Sequence, residues 1–294
     1  MGAEPSRFVE EEVTVTNDVD GYEIQAKLSF KSSKKIRATA LFLHGGMFST
    51  YDRNSNAEVT KALVKECGLA VLTADFRDGS STTYRTGKTL TDLKVLARYL
   101  QSRFPEHPMG VVGSSSGGYF AMMLCNAMGA NTTSPKIRFC IPLAPVAHPQ
   151  ARGIYLKHCI EHTTPMATGK DLYSVRHTPE RAESILNNQL KFFESFKCMA
   201  EAADFVQKNI SKVPTLLIVG ASDKNIPLTV IQNVQQHWAS RTIVLGDGVG
   251  HELCNVPPTE SDHSNYLPDI NRFLANVLDD GGYTSSTTSR PWCV

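Results

Sequence analysis

Residues 110–119 read Gly110-Val111-Val112-Gly113-Ser114-Ser115-Ser116-Gly117-Gly118-Tyr119. An apolar run meets a Gly/Ser cluster, and a helical stretch follows through Phe120-Ala121-Met122-Met123-Leu124-Cys125. The pattern predicts strand, sharp turn and helix, with the spacing G-x-S-x-G at the turn. Three serines stand in a row, but only Ser115 has glycine at both the minus-two and plus-two positions. A serine there occupies a strained backbone position, and a β-carbon two residues to either side would crowd the turn. The helix that starts beside it turns free N–H groups toward any developing negative charge. Glycine and serine are common residues, so the spacing alone could also be a plain loop. The surrounding chain decides between the two.

Upstream, two alternating stretches, 8–16 and 22–30, flank Asn17-Asp18-Val19-Asp20-Gly21 and predict a hairpin exposed on one face. Continuous apolar runs at 38–43 and 69–76 suit buried strands. Helices are expected at 55–66 and 91–104. Downstream, strands are expected at 137–143, 213–219 and 241–245, with helices at roughly 228–238 and 264–279. Strands alternating with helices define an α/β chain, with a mostly parallel sheet covered on both faces and an antiparallel pair at its start. Residues 1–146 and 212–280 form the expected core. Residues 147–211 are polar and helical in tendency, too long for a plain connection, and are expected to be a helical cap insert. Its histidines, His148, His158, His162 and His177, read as surface or pocket-rim residues rather than metal ligands. The Gly/Ser/Thr-rich tail, 281–294, is expected to be flexible.

The chain has 294 residues, 41% hydrophobic and 20% charged, with a formal net charge of +1. That balance gives no reason to expect a nucleic-acid partner. No run of about 18 apolar residues suggests a membrane span, and the N-terminus lacks the apolar segment of a secretion signal. Met1-Gly2 with Ser6 fits the N-myristoylation pattern formally, without an accompanying polybasic signal. The seven cysteines show no C-x-x-C pair and several lie in apolar runs, as expected of reduced thiols in a cytoplasmic protein. No zinc-ligand spacing appears, and no cofactor is expected.

In parallel sheets of this kind, functional groups gather at the carboxyl ends of the strands. Asp223 follows the strand expected at 213–219, in Gly220-Ala221-Ser222-Asp223-Lys224-Asn225-Ile226-Pro227. His251 follows the strand at 241–245, in the glycine-rich stretch Gly246-Asp247-Gly248-Val249-Gly250-His251. A serine hydroxyl becomes a useful nucleophile when an imidazole takes its proton, and the imidazole needs an acceptor on its other nitrogen. Ser115, Asp223 and His251 supply these types in the order Ser…Asp…His. Asp247 competes for the acidic role but lies too near His251 in the same loop. His44-Gly45-Gly46 follows the strand at 38–43, where small residues let backbone N–H groups approach a substrate oxygen. Gly46 and Ser116, with Met47 as a further donor, are the expected oxyanion-binding residues. His44 is expected to brace that loop, not to act as a base. Phe48 and Tyr119 are expected to line an apolar substrate pocket.

These motifs resemble the α/β-hydrolase superfamily over about residues 36–255. In part the chain is similar to hormone-sensitive-lipase-like carboxylesterases, which carry H-G-G-G, D-Y-R and G-D-S-A-G-G. Asp75-Phe76-Arg77 matches the second loosely, Met47 stands at the third glycine of the first, and Ser114 replaces the acidic flank of the third. The resemblance implies a serine hydrolase acting on a carboxylic ester or thioester of a small-molecule substrate. Acyl transfer, peptidase or lyase/cyclase chemistry on the same residues, or a non-catalytic receptor of the same fold, remain as alternatives.

Overall fold

The structure is a computed structural model that describes residues 7–32, 36–46, 52–77, 86–129, 136–146, 213–229, 231, 241–254 and 265–279. The expected insert at 147–211, most of the helix expected at 228–238, and the tail lie outside the described residues.

Eight strands form one sheet. They are β1 (Phe8–Thr16), β2 (Glu23–Lys31), β3 (Ala38–Leu43), β4 (Leu69–Ala74), β5 (Met109–Ser114), β6 (Ile137–Leu143), β7 (Leu216–Gly220) and β8 (Arg241–Leu245). The described helices are α1 (Ala57–Cys67), α2 (Thr86–Arg103), α3 (Ser116–Gly129) and α4 (Leu267–Asp279). The order across the sheet is β1-β2-β4-β3-β5-β6-β7-β8. β1 pairs with β2, and β2 with β4, antiparallel. Every later pairing is parallel. This is the mixed sheet expected, in an α/β-hydrolase fold.

Side-chain alternation explains why both faces are covered. Leu41 and Leu43 of β3, Leu72 of β4 and Val111 of β5 point to one face, where α2 (Leu93, Leu96, Leu100) and α3 (Phe120, Leu124, Met128) pack. Ala40 and Phe42, Val71 and Val112 point to the other, against α1 (Val59, Leu63, Val64) and α4 (Ile270, Phe273, Leu274, Val277). None of these helices is long and apolar enough to cross a membrane.

Three element limits differ from the sequence pattern, each for a local reason. β4 stops at Ala74, two residues before the apolar run ends, as β3 turns away at His44; on its other side the Asp75 N–H still bonds the Gln25 carbonyl of β2. α2 starts at Thr86, five residues before Thr91, since its first turn is polar and gives no apolar periodicity. β7 starts at Leu216 and not Val213; Pro214 has no N–H for a ladder, and Thr215 makes only a single bridge to Cys140.

Register fixes what meets at the strand ends. Leu43 is level with Gly113, Ser114 with Leu143, Leu143 with Ile218, and Gly220 with Leu245. The chain runs from β3 outward to β4, then crosses back over β3 to β5. The direction of winding therefore reverses between β3 and β5, which opens a crevice at their carboxyl ends.

Candidate active site

Ser115 sits between β5 and α3 with φ +53°, a left-handed value that is costly for a residue with a side chain. Three backbone bonds hold it there. Its N–H donates to the Leu143 carbonyl at 2.9 Å, and its own carbonyl accepts from Val146 N–H at 3.0 Å and Tyr119 N–H at 3.3 Å. The flanking glycines are required sterically. A β-carbon on Gly113 would lie 2.3 Å from the Gly117 carbonyl oxygen, and one on Gly117 would lie 2.1 Å from the Leu43 carbonyl oxygen.

His251 opens a single 3-10 turn, His251–Cys254, and is 8% exposed. This differs from the freely projecting loop histidine that the glycine-rich sequence suggests. Its Nδ1–H donates to Asp223 Oδ2 at 2.8 Å. Its Nε2 lies 3.1 Å from Ser115 Oγ. With the proton on Nδ1 held by the carboxylate, Nε2 presents its lone pair to the serine hydroxyl. Asp223 is 3% exposed, and its Oδ1 accepts the N–H groups of Asn225 and Ile226, each at 2.8 Å. Its carboxylate is thus held in place to accept from His251. Asp247, the competing acid, is exposed in the loop before it.

The loops that carry Asp223 and His251 are joined by contacts that no sequence pattern announces. Ser222 N–H donates to the Val249 carbonyl at 2.9 Å, and Ser222 Oγ accepts Gly248 N–H at 3.0 Å. Gly220 permits the approach, since a β-carbon there would lie 2.4 Å from the Val249 oxygen. Glu252 Oε1 accepts Gly250 N–H at 2.8 Å, closing the turn around His251. Asn56, at the start of α1, does not cap that helix with its side chain; its amide donates to the Cys254 carbonyl at 2.7 Å and ties the His251 turn to α1.

The turn leaving β3 abuts Ser115. A β-carbon on Gly45 would lie 3.1 Å from Ser115 Cβ and 3.2 Å from the Ser114 carbonyl. Gly46 has φ +72°, a conformation that glycine adopts without strain. His44 is buried, its Nδ1–H donates to the Gly45 carbonyl at 3.0 Å, and its ring packs 4.6 Å from that of Phe76. It braces the turn, as expected. Burial is the main cause that holds its pKa below 6.5, so it stays neutral. Ser116 opens α3 beside Ser115 and is 2% exposed. Met47 and Phe48 lie outside the described residues. Tyr119 is 1% exposed and packed in the α2–α3 core, its ring edge-on to Phe120. Burial pushes its hydroxyl pKa up, well above the usual 10. Among the described residues no group of three or more His, Cys, Asp or Glu side chains could hold a metal ion.

The fold and this arrangement define a hydrolase-type α/β scaffold, and comparison with known proteins agrees. The chain belongs to the α/β-hydrolase fold family, whose model matches residues 40–224. Carboxyl esterase 2 from the mycorrhizal fungus Tuber melanosporum superposes with a TM-score of 0.67 at 15% identity, over 94% of this chain and 90% of the other. A fungal esterase of Rhizomucor miehei gives 0.66 at 16% identity, over 93% and 85%. An esterase of Pyrobaculum calidifontis gives 0.65 at 14% identity, over 92% and 85%. At these identities the likeness is one of fold. No curated protein sequence matches the chain significantly.

Proposed function

We propose that the protein hydrolyses a carboxylic ester or thioester of a small, largely apolar substrate through an acyl-enzyme on Ser115. The observation that carries this reading is the relay Asp223–His251–Ser115, with contacts of 2.8 and 3.1 Å among residues from three separate strand ends. The structural neighbours named above, all esterases, support it.

In this mechanism Ser115 Oγ attacks the substrate carbonyl while its proton passes to His251 Nε2. The imidazolium that forms is stabilised by the Asp223 carboxylate on Nδ1–H. The negative charge on the former carbonyl oxygen is met by the N–H groups of Gly46 and Ser116, at the head of α3. Collapse expels the alcohol or thiol, which takes the proton from His251. A water molecule then repeats the sequence on the acyl-enzyme, and Ser115 is regenerated. The proposed reaction draws on no metal or organic cofactor.

The test is hydrolysis of p-nitrophenyl esters of graded acyl length, and of matched thioesters, by the wild type and by Ser115→Ala. Turnover by the wild type that is abolished in Ser115→Ala supports the proposal. Equal rates for the two proteins contradict it. A wild type inactive on every member, yet acylated at Ser115 by an activated ester, would move the reading to acyl transfer.

A further inference from the structure

The carbonyl of Leu143, at the end of β6, accepts from two different elements of the site. One donor is the Ser115 N–H, at 2.9 Å. The other is the Cys254 thiol, whose Sγ lies 3.2 Å from the same oxygen. The chain around that carbonyl is itself fixed. Ala144, the next residue, has φ +39° and shares with Ser115 a left-handed backbone, the two non-glycine cases among the described residues. Its N–H donates to the Ile218 carbonyl of β7 at 2.8 Å, and the reversal there brings the Val146 N–H to the Ser115 carbonyl at 3.0 Å. Leu143 and Val146 thus grip both backbone polar groups of Ser115, and strained residues of this kind persist where the surroundings over-determine them. Cys254 closes the 3-10 turn that His251 opens, and it is buried. Its carbonyl accepts the amide of the buried Asn56 at 2.7 Å, and the Asn56 carbonyl accepts the Thr60 N–H of α1 at 2.9 Å. The end of the turn is therefore pinned to β6 through its side chain and to α1 through its backbone.

We infer that Cys254 is a positioning residue for the reaction proposed above: clamped by Leu143 and Asn56, it registers the His251 turn against the backbone that holds Ser115. The inference rests on the hydrolase reading. Ser115 and His251 follow different strands, β5 and β8, with β6 and β7 between them. Ser222 and Asp223 join the His251 loop to the segment after β7. The thiol bond runs instead to β6, to the carbonyl that anchors Ser115, and so bears on the 3.1 Å between Nε2 and Oγ. A thiol is a weak donor, but its bond counts for more inside the low-dielectric core than it would in water. A misplacement of about 1 Å between reacting groups can cost on the order of a hundredfold in rate. A turn that keeps its bonds to Asn56 and its own Glu252–Gly250 closure moves less than that. His251 acts on the proton of Ser115 and not on the bound substrate, so the loss falls on kcat and on covalent capture, with KM spared.

The experiment compares the wild type with Cys254→Ser, Cys254→Ala and Asn56→Ala. Serine and alanine are nearly the same size, so the first two variants separate the donor from the volume lost with the sulfur. Two quantities are measured: steady-state kinetics on a p-nitrophenyl ester, and the rate at which a fluorophosphonate labels Ser115. Cys254→Ala is expected to lower kcat and the labelling rate together, by about tenfold, with KM within about twofold. Asn56→Ala is expected to act in the same direction. Cys254→Ser, which restores a donor toward the Leu143 carbonyl, is expected to recover to within about threefold of the wild type. Wild-type kcat in either alanine variant would overturn the inference. Equal losses in Cys254→Ser and Cys254→Ala would also overturn it, since they mark lost packing, as would a loss confined to KM. A wild type that neither turns over the ester nor takes the label would bring down the hydrolase reading, and this inference with it.

Discussion

The carboxylate of Asp223 meets the imidazole of His251 at 2.8 Å across 28 residues of sequence. β7 and β8 make this possible. They run parallel with Gly220 level with Leu245, so the loops that follow them leave the sheet side by side. Ser222 then joins the two loops through both its N–H and its hydroxyl. The same carboxylate holds two backbone N–H groups on its other oxygen, which fixes its plane. Asp223→Asn keeps the shape but can present an amide N–H to Nδ1, favouring the tautomer that cannot take the proton of Ser115. We expect kcat to drop roughly ten-thousand-fold near neutral pH with KM little changed, by analogy with the same change in other serine hydrolases. Steady-state ester hydrolysis measures it, and a drop below about tenfold would contradict the role given to Asp223.

Gly117 stands where a β-carbon would meet the Leu43 carbonyl oxygen at 2.1 Å, a backbone contact that no rotamer can relieve. Gly117→Ala should therefore force β3 and α3 apart. The expected destabilisation is about 3 kcal/mol or more, in the range of severe core changes. Urea unfolding followed by circular dichroism reads it. A variant as stable as the wild type would mean that the junction is looser than the geometry indicates.

The Arg77 guanidinium is shared by two carboxylates. It donates to Asp92 at 2.6 and 2.7 Å and to Asp20 at 2.5 and 2.8 Å, and lies 4.1 Å from the centre of the Tyr22 ring. Asp92 is 2% exposed and also accepts the Asn17 amide. The cluster thus joins the β1–β2 turn, the end of β4 and α2. Asp92→Ala leaves Arg77 partly buried with one partner fewer, and the Asn17 amide without its acceptor. Breaking one side of a buried pair costs about 3–5 kcal/mol. We expect the lower end, because Arg77 keeps Asp20. Denaturant midpoints of the two proteins give the comparison.

His44 yields a pH prediction. Burial lowers its folded pKa below 6.5, against smaller opposing effects from the Gly45 carbonyl and the carboxylates of Asp75 and Asp52. As pH falls through 6.5 the unfolded chain takes up this proton and the folded chain does not. The unfolded state binds more protons in that window, so stability falls with falling pH until the folded imidazole also titrates. The contribution is fully present above pH 6.5. His44→Gln removes it, so the variant should lose less of its Tm than the wild type between about pH 8 and about pH 5.5. Thermal unfolding at the two pH values measures the difference; equal losses would contradict a buried, neutral His44.

Most of the fold could be read from the chain, because β3, β4 and β7 are unbroken apolar or β-branched runs. The meeting of Ser115, Asp223 and His251 was legible for a different reason. Each follows a recognisable strand, and parallel strands bring such positions together whatever their spacing. What escaped the sequence was everything that depends on a backbone partner far away in the chain. Asn56 falls inside the helix expected at 55–66, yet it precedes α1 and its amide serves the Cys254 carbonyl. The glycines before His251 suggest an open loop, yet Glu252 folds back on Gly250 and the imidazole is buried. Tyr119 follows the nucleophile as a pocket residue might, yet its ring lies in the core because helical periodicity turns it toward α2 and the sheet.

The central claim is that Ser115 is activated by His251, and covalent capture by a fluorophosphonate tests it most directly. The probe acylates no group; it phosphonylates a serine Oγ, with loss of fluoride, when a neighbouring base takes the hydroxyl proton. Intact-mass measurement followed by peptide mapping should show one adduct per chain, located on Ser115, at a rate strongly reduced in His251→Ala and absent in Ser115→Ala. Labelling of the wild type no faster than of Ser115→Ala, or an adduct mapped to another residue, would contradict the account.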